Sequence, residues 1–227
     1  MLDVIAAVAV LSLGAGAGTQ LSRVTGAQVK VEGGDGLLYS HEKGVAPADA
    51  KAIYEHRRRG GESVPVIVRV PGRAGLFLVS DLGPPDAPAN DYGRRLFLLQ
   101  RVKDGFRELG RTRGVGDAYN LDPVVFTGAG RTVVLAELGT EYSWGLVAYE
   151  IAGRELRELG AIGVAAPGEE GERDPTPFAR VHVEGGRLVV AFDVDMIEDP
   201  GGQHAKALAR PVVFRQEGKR FVRVQPR

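Results

Sequence analysis

Trp144–Ile162, WGLVAYEIAGRELRELGAI, reads as two β-strands folded around a glycine turn. The apolar run Leu146–Ile151 meets Ala152-Gly153-Arg154, and beyond the turn charged residues alternate with Leu156 and Leu159. β-Branched and aromatic residues, a short glycine connection and an alternating partner are the marks of a hairpin. Similar words stand earlier, in RLFLLQRVKDGFRELGRT at Arg95–Thr112. The shared phrase ends on Gly110 in one case and Gly160 in the other. It is expected to be the outermost strand of two successive units, each glycine ending its strand before the chain crosses onward.

Four more hairpins extend the pattern. VIVRVPGRAGLFLVSD (Val66–Asp81), VVFTGAGRTVVLAE (Val124–Glu137) and RVHVEGGRLVVAFDVD (Arg180–Asp195) are first members of pairs. The two hairpins above and RPVVFRQEGKRFVRVQ (Arg210–Gln225) are second members. Three units of four antiparallel strands result, at about 64–113, 123–164 and 178–225, in an all-β domain over 64–227. Repetition of this length marks stacked supersecondary units.

GLVAYEIAGRELRELG resembles the outer strands of bacterial β-propeller blades: an apolar strand, a turn with glycine, then a strand of charged alternation. The resemblance implies a propeller-like arrangement and no particular activity. A β-trefoil matches the number of units but leaves the first sixty or so residues over, and a two-sheet β-sandwich is the other alternative. Three blades are few for a closed ring, so a partial fourth blade or a homodimer sharing one ring is considered with the propeller.

The 227 residues suffice for one sizeable core, and 44% are apolar, which fits a globular protein. Basic and acidic residues balance at 29 each, so no cationic excess points to nucleic acid. Without cysteine there is no disulfide, thiol nucleophile or Cys-ligated metal.

Val4–Gly18, VIAAVAVLSLGAGAG, is uncharged and too short for a stable membrane span. It has the length of a signal-peptide core, and Ala15-Gly16-Ala17 fits an A-x-A cleavage site, although Asp3 replaces the usual Lys or Arg before it. Residues 1–18 are therefore expected to be an export signal, giving a periplasmic or secreted protein; were this run structural, the protein would be cytoplasmic. Residues 19–63 hold a hairpin around Val29 and Val31, then a helix from Pro47 that stops at Gly60-Gly61.

Tight glycine turns join strands one to two and three to four of each unit. The remaining connections are long: 82–95, 112–122, 139–143, 165–177 and 196–209. In an up-and-down meander these gather at one end, where binding concentrates on a rigid scaffold. An acid follows strand two of each unit at an equivalent place: Asp81, Glu137, and Asp193 with Asp195. Asp86, Asp91, Glu141, Glu198 and Asp199 add to them, and Tyr92, Tyr119, Tyr142 and Trp144 stand among them. Carboxylates beside aromatics suit a glycan, a cationic peptide or calcium; Gly, Pro and Asp also fill any solvated turn. The binding candidates are Asp81, Tyr92, Glu141, Tyr142, Trp144, Asp195, Glu198 and Asp199. Asp193, Asp195 and Glu198 or Asp199 could collect oxygens for Ca²⁺, but their spacing departs from an EF-hand loop, so an acidic turn without any cofactor is preferred.

Catalytic patterns are missing. His41, His56, His182 and His204 are scattered, with no H-E-x-x-H. Glu141-Tyr142-Ser143-Trp144-Gly145 lacks the first glycine of a nucleophile elbow. The expectation is a non-enzymatic binding or assembly module for a protein or glycan; the alternative is a glycan hydrolase using loop carboxylates as acid and base.

Overall fold

The computed structural model describes residues 18–24, 28–32, 38–41, 45–57, 65–83, 87–88, 91–116, 118, 120–140, 144–168 and 171–225. Residues 1–17 of the expected export signal 1–18, the turn of the expected hairpin around Val29 and Val31, and Gly60-Gly61 lie outside them, as do Asp86, Tyr119, Glu141 and Tyr142. The described chain is mostly β, with a single α-helix, and its antiparallel sheets are all open.

The first sheet holds β3 (Gln28–Glu32), β4 (Leu38–His41), β5 (Val66–Arg69), β6 (Leu76–Leu82), β7 (Arg94–Val102) and β8 (Gly105–Arg111), in the order β4-β3-β5-β6-β7-β8. The second holds β2 (Ser22–Arg23), β9 (Pro123–Gly128), β10 (Arg131–Gly139), β11 (Trp144–Ala152) and β12 (Glu155–Ile162), in the order β12-β11-β10-β9-β2. The third holds β1 (Thr19–Gln20), β15 (Ala179–Glu184), β16 (Arg187–Phe192), β19 (Val212–Glu217) and β20 (Arg220–Val224), in the order β1-β15-β16-β19-β20. Each contains a four-strand meander in which short turns join strands one to two and three to four. At the β9–β10 turn both Ala129 (φ 50) and Gly130 (φ 72) are left-handed, the two-residue geometry that matches strand twist.

The sheets pack face to face. Helix α1 (Pro47–Arg57) lays Ala50 and Ile53 on Ile67, Phe77, Val79 and Phe97 of the first sheet. The opposite face of that sheet, with Leu78 and Leu98, meets Val134, Ala136 and Val147 of the second. Alternate residues of the same strands, Val133, Leu135 and Ala148, meet Leu188, Val190 and Phe192 of the third. The middle sheet is thus buried on both faces, and β10 and β11 read as continuous apolar runs for that reason. The order is α1, first, second, third sheet, and the far face of the third carries no further layer among the described residues.

The segment before β4 is woven into all three sheets. β1 pairs with β15, β2 with β9 and β3 with β5, each the first strand of its meander. Leu21, between β1 and β2, is 2% exposed and joins the core of the second and third sheets. One strand of chain therefore covers the inner edge of every meander, which would otherwise present unpaired backbone groups.

The shared phrase has a definite geometry. Leu98 opposes Gly110 while Leu99 opposes Glu108, so Leu109 is extra; Ala148 opposes Gly160 while Tyr149 opposes Glu158, so Leu159 is extra. Both are β-bulges, and each turns its additional leucine into the core shared with the next sheet. The expectation that the glycines end their strands is corrected: Gly110 lies inside β8 and Gly160 inside β12. The next sheet's hairpin comes close to both, but only Gly160 is obliged to be glycine. A Cβ at Gly110 would lie 3.7 Å from the Arg154 carbonyl of the β11–β12 turn, and one at Gly160 would overlap the β19–β20 turn. β20 is the last outer strand and pairs with β19 without a bulge.

The tight turns lie at one end and the five long connections at the other. Two of these connections are ordered into a fourth sheet of β13 (Val164–Gly168), β14 (Gly171–Arg173), β17 (Met196–Glu198) and β18 (Lys206–Leu208), in the order β14-β13-β17-β18.

Candidate functional site

The acids that looked equivalent do not share a face. Aligning the sheets at their bulges places Leu98 with Ala148, hence Leu78 with Leu135 and Ser80 with Glu137. Asp81 is one residue out of step and points to the α1 side with Val79, whereas Glu137 points toward the third sheet with Leu135. The cause is the β5–β6 connection, which is longer than the two-residue β9–β10 turn; a one-residue slip reverses a strand's faces. Glu137 and Asp193 do correspond, since each is the seventh residue after a two-residue turn.

Each candidate residue has a definite place. Asp81 is buried; its Oδ2 accepts from Arg57 Nε at 3.1 Å and its Oδ1 from its neighbour's Leu82 N–H at 2.8 Å. The Arg57 guanidinium also lies 3.5 Å from the centre of the Phe97 ring, so this pair fixes the end of α1 to the first sheet. Tyr92 is 51% exposed in the β6–β7 connection. Trp144 opens β11, half-buried, its ring against Gly139 of the paired strand. Asp195 Oδ1 accepts the Arg210 N–H at 2.9 Å. Glu198 pairs with Arg223 at 3.3 Å. Asp199 takes a left-handed φ of 52 and lays its carboxylate against Gly202. Asp193 pairs with Arg180. The four acids of 193–199 are thus directed to separate partners, and no metal-holding group of three or more His, Asp or Glu occurs among the described residues.

Three arrangements that the sequence did not reveal lie at the long-connection end. The first is a brace. Arg95 of β7 is fully buried, and its Nη1 meets Asp91 Oδ2 at 3.0 Å while Nη2 donates to the Asp91 carbonyl. Asp91 Oδ1 accepts the Gly114 N–H at 3.0 Å, tying the β6–β7 connection to the one after β8. The Gly114 N–H first, and Arg95 second, hold the Asp91 carboxyl below its ordinary range.

The second lies where β9 and β15 begin. Asp174 stands two residues before Thr176, which opens the 3-10 turn Thr176–Phe178: Oδ1 accepts the Thr176 N–H at 2.7 Å and Oδ2 its hydroxyl at 2.6 Å. Burial pushes the Asp174 carboxyl up despite these bonds, and the charge of Asp122 adds to the rise. Arg23 of β2 reaches over, donating to the Pro177 carbonyl at 3.1 Å. Two carboxyls and a guanidinium thus meet at the seam of the second and third sheets. Asp174-Pro175-Thr176 is a turn pattern visible in sequence; the nearness of Asp122 and Arg23 depends on strand pairing.

The third is an open cavity of about 310 Å³ lined by Ala166, Pro167, Val194, Asp195 and Arg210. Its wall joins β13 of the small sheet to the segment after β16. Small apolar side chains, the Asp195 carboxylate and Arg210 would contact a ligand of modest size.

No family model, curated protein or solved structure matches this chain.

Proposed function

We propose that this chain is a non-enzymatic binding or assembly module that holds a protein segment or glycan at its long-connection end. The observation that carries this reading is the asymmetry of the two ends. Every meander turn at one end is tight, while two connections at the other form a sheet of their own beside a cavity. A structure that orders extra chain at one end only invests conformational entropy there.

In this reading the three meanders are repeats in a propeller-like arrangement, with the bulge marking where each receives the next. The site of action is the periplasm or the exterior. Ala15-Gly16-Ala17 directly precedes Gly18, and cleavage there would leave every residue of β1 to β3 in place.

The test is calorimetric titration with short cell-wall oligosaccharides and short cationic peptides, on the parent and on Asp195→Ala and Arg210→Ala. Binding that weakens about tenfold or more in both variants supports the site. Failure of every probe, or binding indifferent to both substitutions, overturns it.

One observation favours a second reading. Asp174, whose carboxyl is raised by burial and by the nearby Asp122, has the environment of a general acid with a second carboxyl beside it, as in a glycan hydrolase. Release of chromophore from aryl glycosides, abolished in Asp174→Asn, would establish it; an inert parent protein would remove it.

A further inference from the structure

We infer that the open face of the third sheet is an interface between two copies of this chain. The inference is independent of the ligand site, which lies at the other end of the strands.

The sheets are linked at the tight-turn end by arginines. Arg73, in the β5–β6 turn, donates to the Gly153 carbonyl of the second sheet. Arg131, the first residue after the β9–β10 turn, donates to the Gly186 carbonyl of the third at 3.4 Å. Arg187 stands in the same register position after the β15–β16 turn, since Arg131 opposes Gly128 as Arg187 opposes Glu184. It points away from the second sheet, as Arg131 points away from the first, and it has no partner among the described residues. It borders an open cavity of about 520 Å³ with Gly186, Gln216, Glu217 and Gly218. In the second sheet, the neighbouring sheet's turn fills the corresponding place.

The rest of the face matches an interior one. Val189, already 1% exposed within the chain, and half-buried Ala191 correspond to Val133 and Leu135, which the third sheet covers. Beside them Val213 is only half-buried. Arg215 corresponds to Glu150, which bonds Arg131 and Arg157 within the covered seam and is 10% exposed there. On the open face Glu184 joins Arg215 at 3.4 Å and His182 at 3.0 Å. The packing of the second and third sheets shows that such an ion network is compatible with a covering layer.

The occupant follows from what the chain lacks. Helix α1 covers the far face of the first sheet, so a head-to-tail array finds no free mate. β20 has neither the bulge nor the glycine that receives a following hairpin. A contact of the face with itself, about a two-fold axis, needs neither and closes at two copies. The charges suit it: Arg180, Arg187 and Arg215 stand against Glu184, Asp193 and Glu217, so opposite charges can meet across the axis.

The test is sedimentation equilibrium of the full chain from about 1 to 500 µM, the range in which modest interfaces associate. A monomer–dimer equilibrium is expected, weakened about tenfold or more by Arg187→Glu and by Val213→Lys, and unchanged by Lys103→Glu on the β7–β8 turn. Arg187 is exposed, so its variant keeps the fold, and circular dichroism verifies this if the Val213 variant does not. A monomer throughout the range, or a dimer indifferent to Arg187→Glu, overturns the inference.

Discussion

Gly160 faces the Lys219 carbonyl of the neighbouring sheet so closely that a Cβ on it would lie 2.8 Å away. Its φ of 133 is a conformation that other residues avoid. Gly110, its counterpart in the first sheet, takes no such φ and has only the Arg154 carbonyl nearby, at 3.7 Å from the same construction. Two glycines in the same phrase are therefore held by different constraints.

Gly160→Ala is expected to cost about 2 kcal/mol or more, from backbone strain together with displacement of the β19–β20 turn. Gly110→Ala is expected to cost less than about 1 kcal/mol. Urea unfolding of the two variants measures both; equal losses would contradict the geometry.

Asp91→Ala is expected to lower the melting temperature by leaving the buried Arg95 guanidinium without its carboxylate. Because the folded Asp91 pKa lies below its ordinary value, this stabilisation is present above the ordinary value and fades as pH falls through the folded one. The gap between parent and variant should therefore close in acid. Arg95→Met in the Asp91→Ala background should recover part of the loss, since it removes the stranded charge.

Asp174 works with the opposite sign. Its folded carboxyl is raised, so the folded chain holds this proton more firmly than the unfolded chain does. Its contribution to stability declines as pH rises from the ordinary value of 3.8 through the raised one. Asp174→Asn keeps an oxygen for Thr176 and removes the titration. Stability of the variant relative to the parent should rise over that window and then level off, as read by denaturant midpoints at stepped pH.

Leu21→Ala should cost about 2–4 kcal/mol, the usual loss for a buried leucine. Removing residues through Val24 should be far worse, because it uncovers the inner edges of β9 and β15. Soluble yield and sedimentation of the truncated chain provide the measurement; a well-behaved product would show that the woven segment is dispensable.

Much of the strand layout was legible because glycine turns and alternation are local signals. Gly130, Gly153, Gly186 and Gly218 mark connections that the structure forms as tight turns. The two-residue strands Thr19–Gln20 and Ser22–Arg23 were not legible, since nothing in so short a stretch has a period. The small sheet was missed for the same reason: β14, β17 and β18 are three residues each and owe their form to distant partners. The acidic residues could be picked out by type, but not their direction. Asp81 and Glu137 looked alike until the differing turn lengths placed them on opposite sides. Arg95 and Asp91 were obscured because an arginine at a strand start looks solvated until its loop folds back over it.

The pairing of β1 with β15 also sets an order of events during biosynthesis. Thr19 lies opposite Val183, which is made 164 residues later. Thr19 must wait for that stretch before the third sheet acquires its inner border. A polypeptide wired this way cannot finish one layer at a time as it emerges, and contacts over such separations form slowly. Its third sheet stays without that border until the stretch about Val183 has been made.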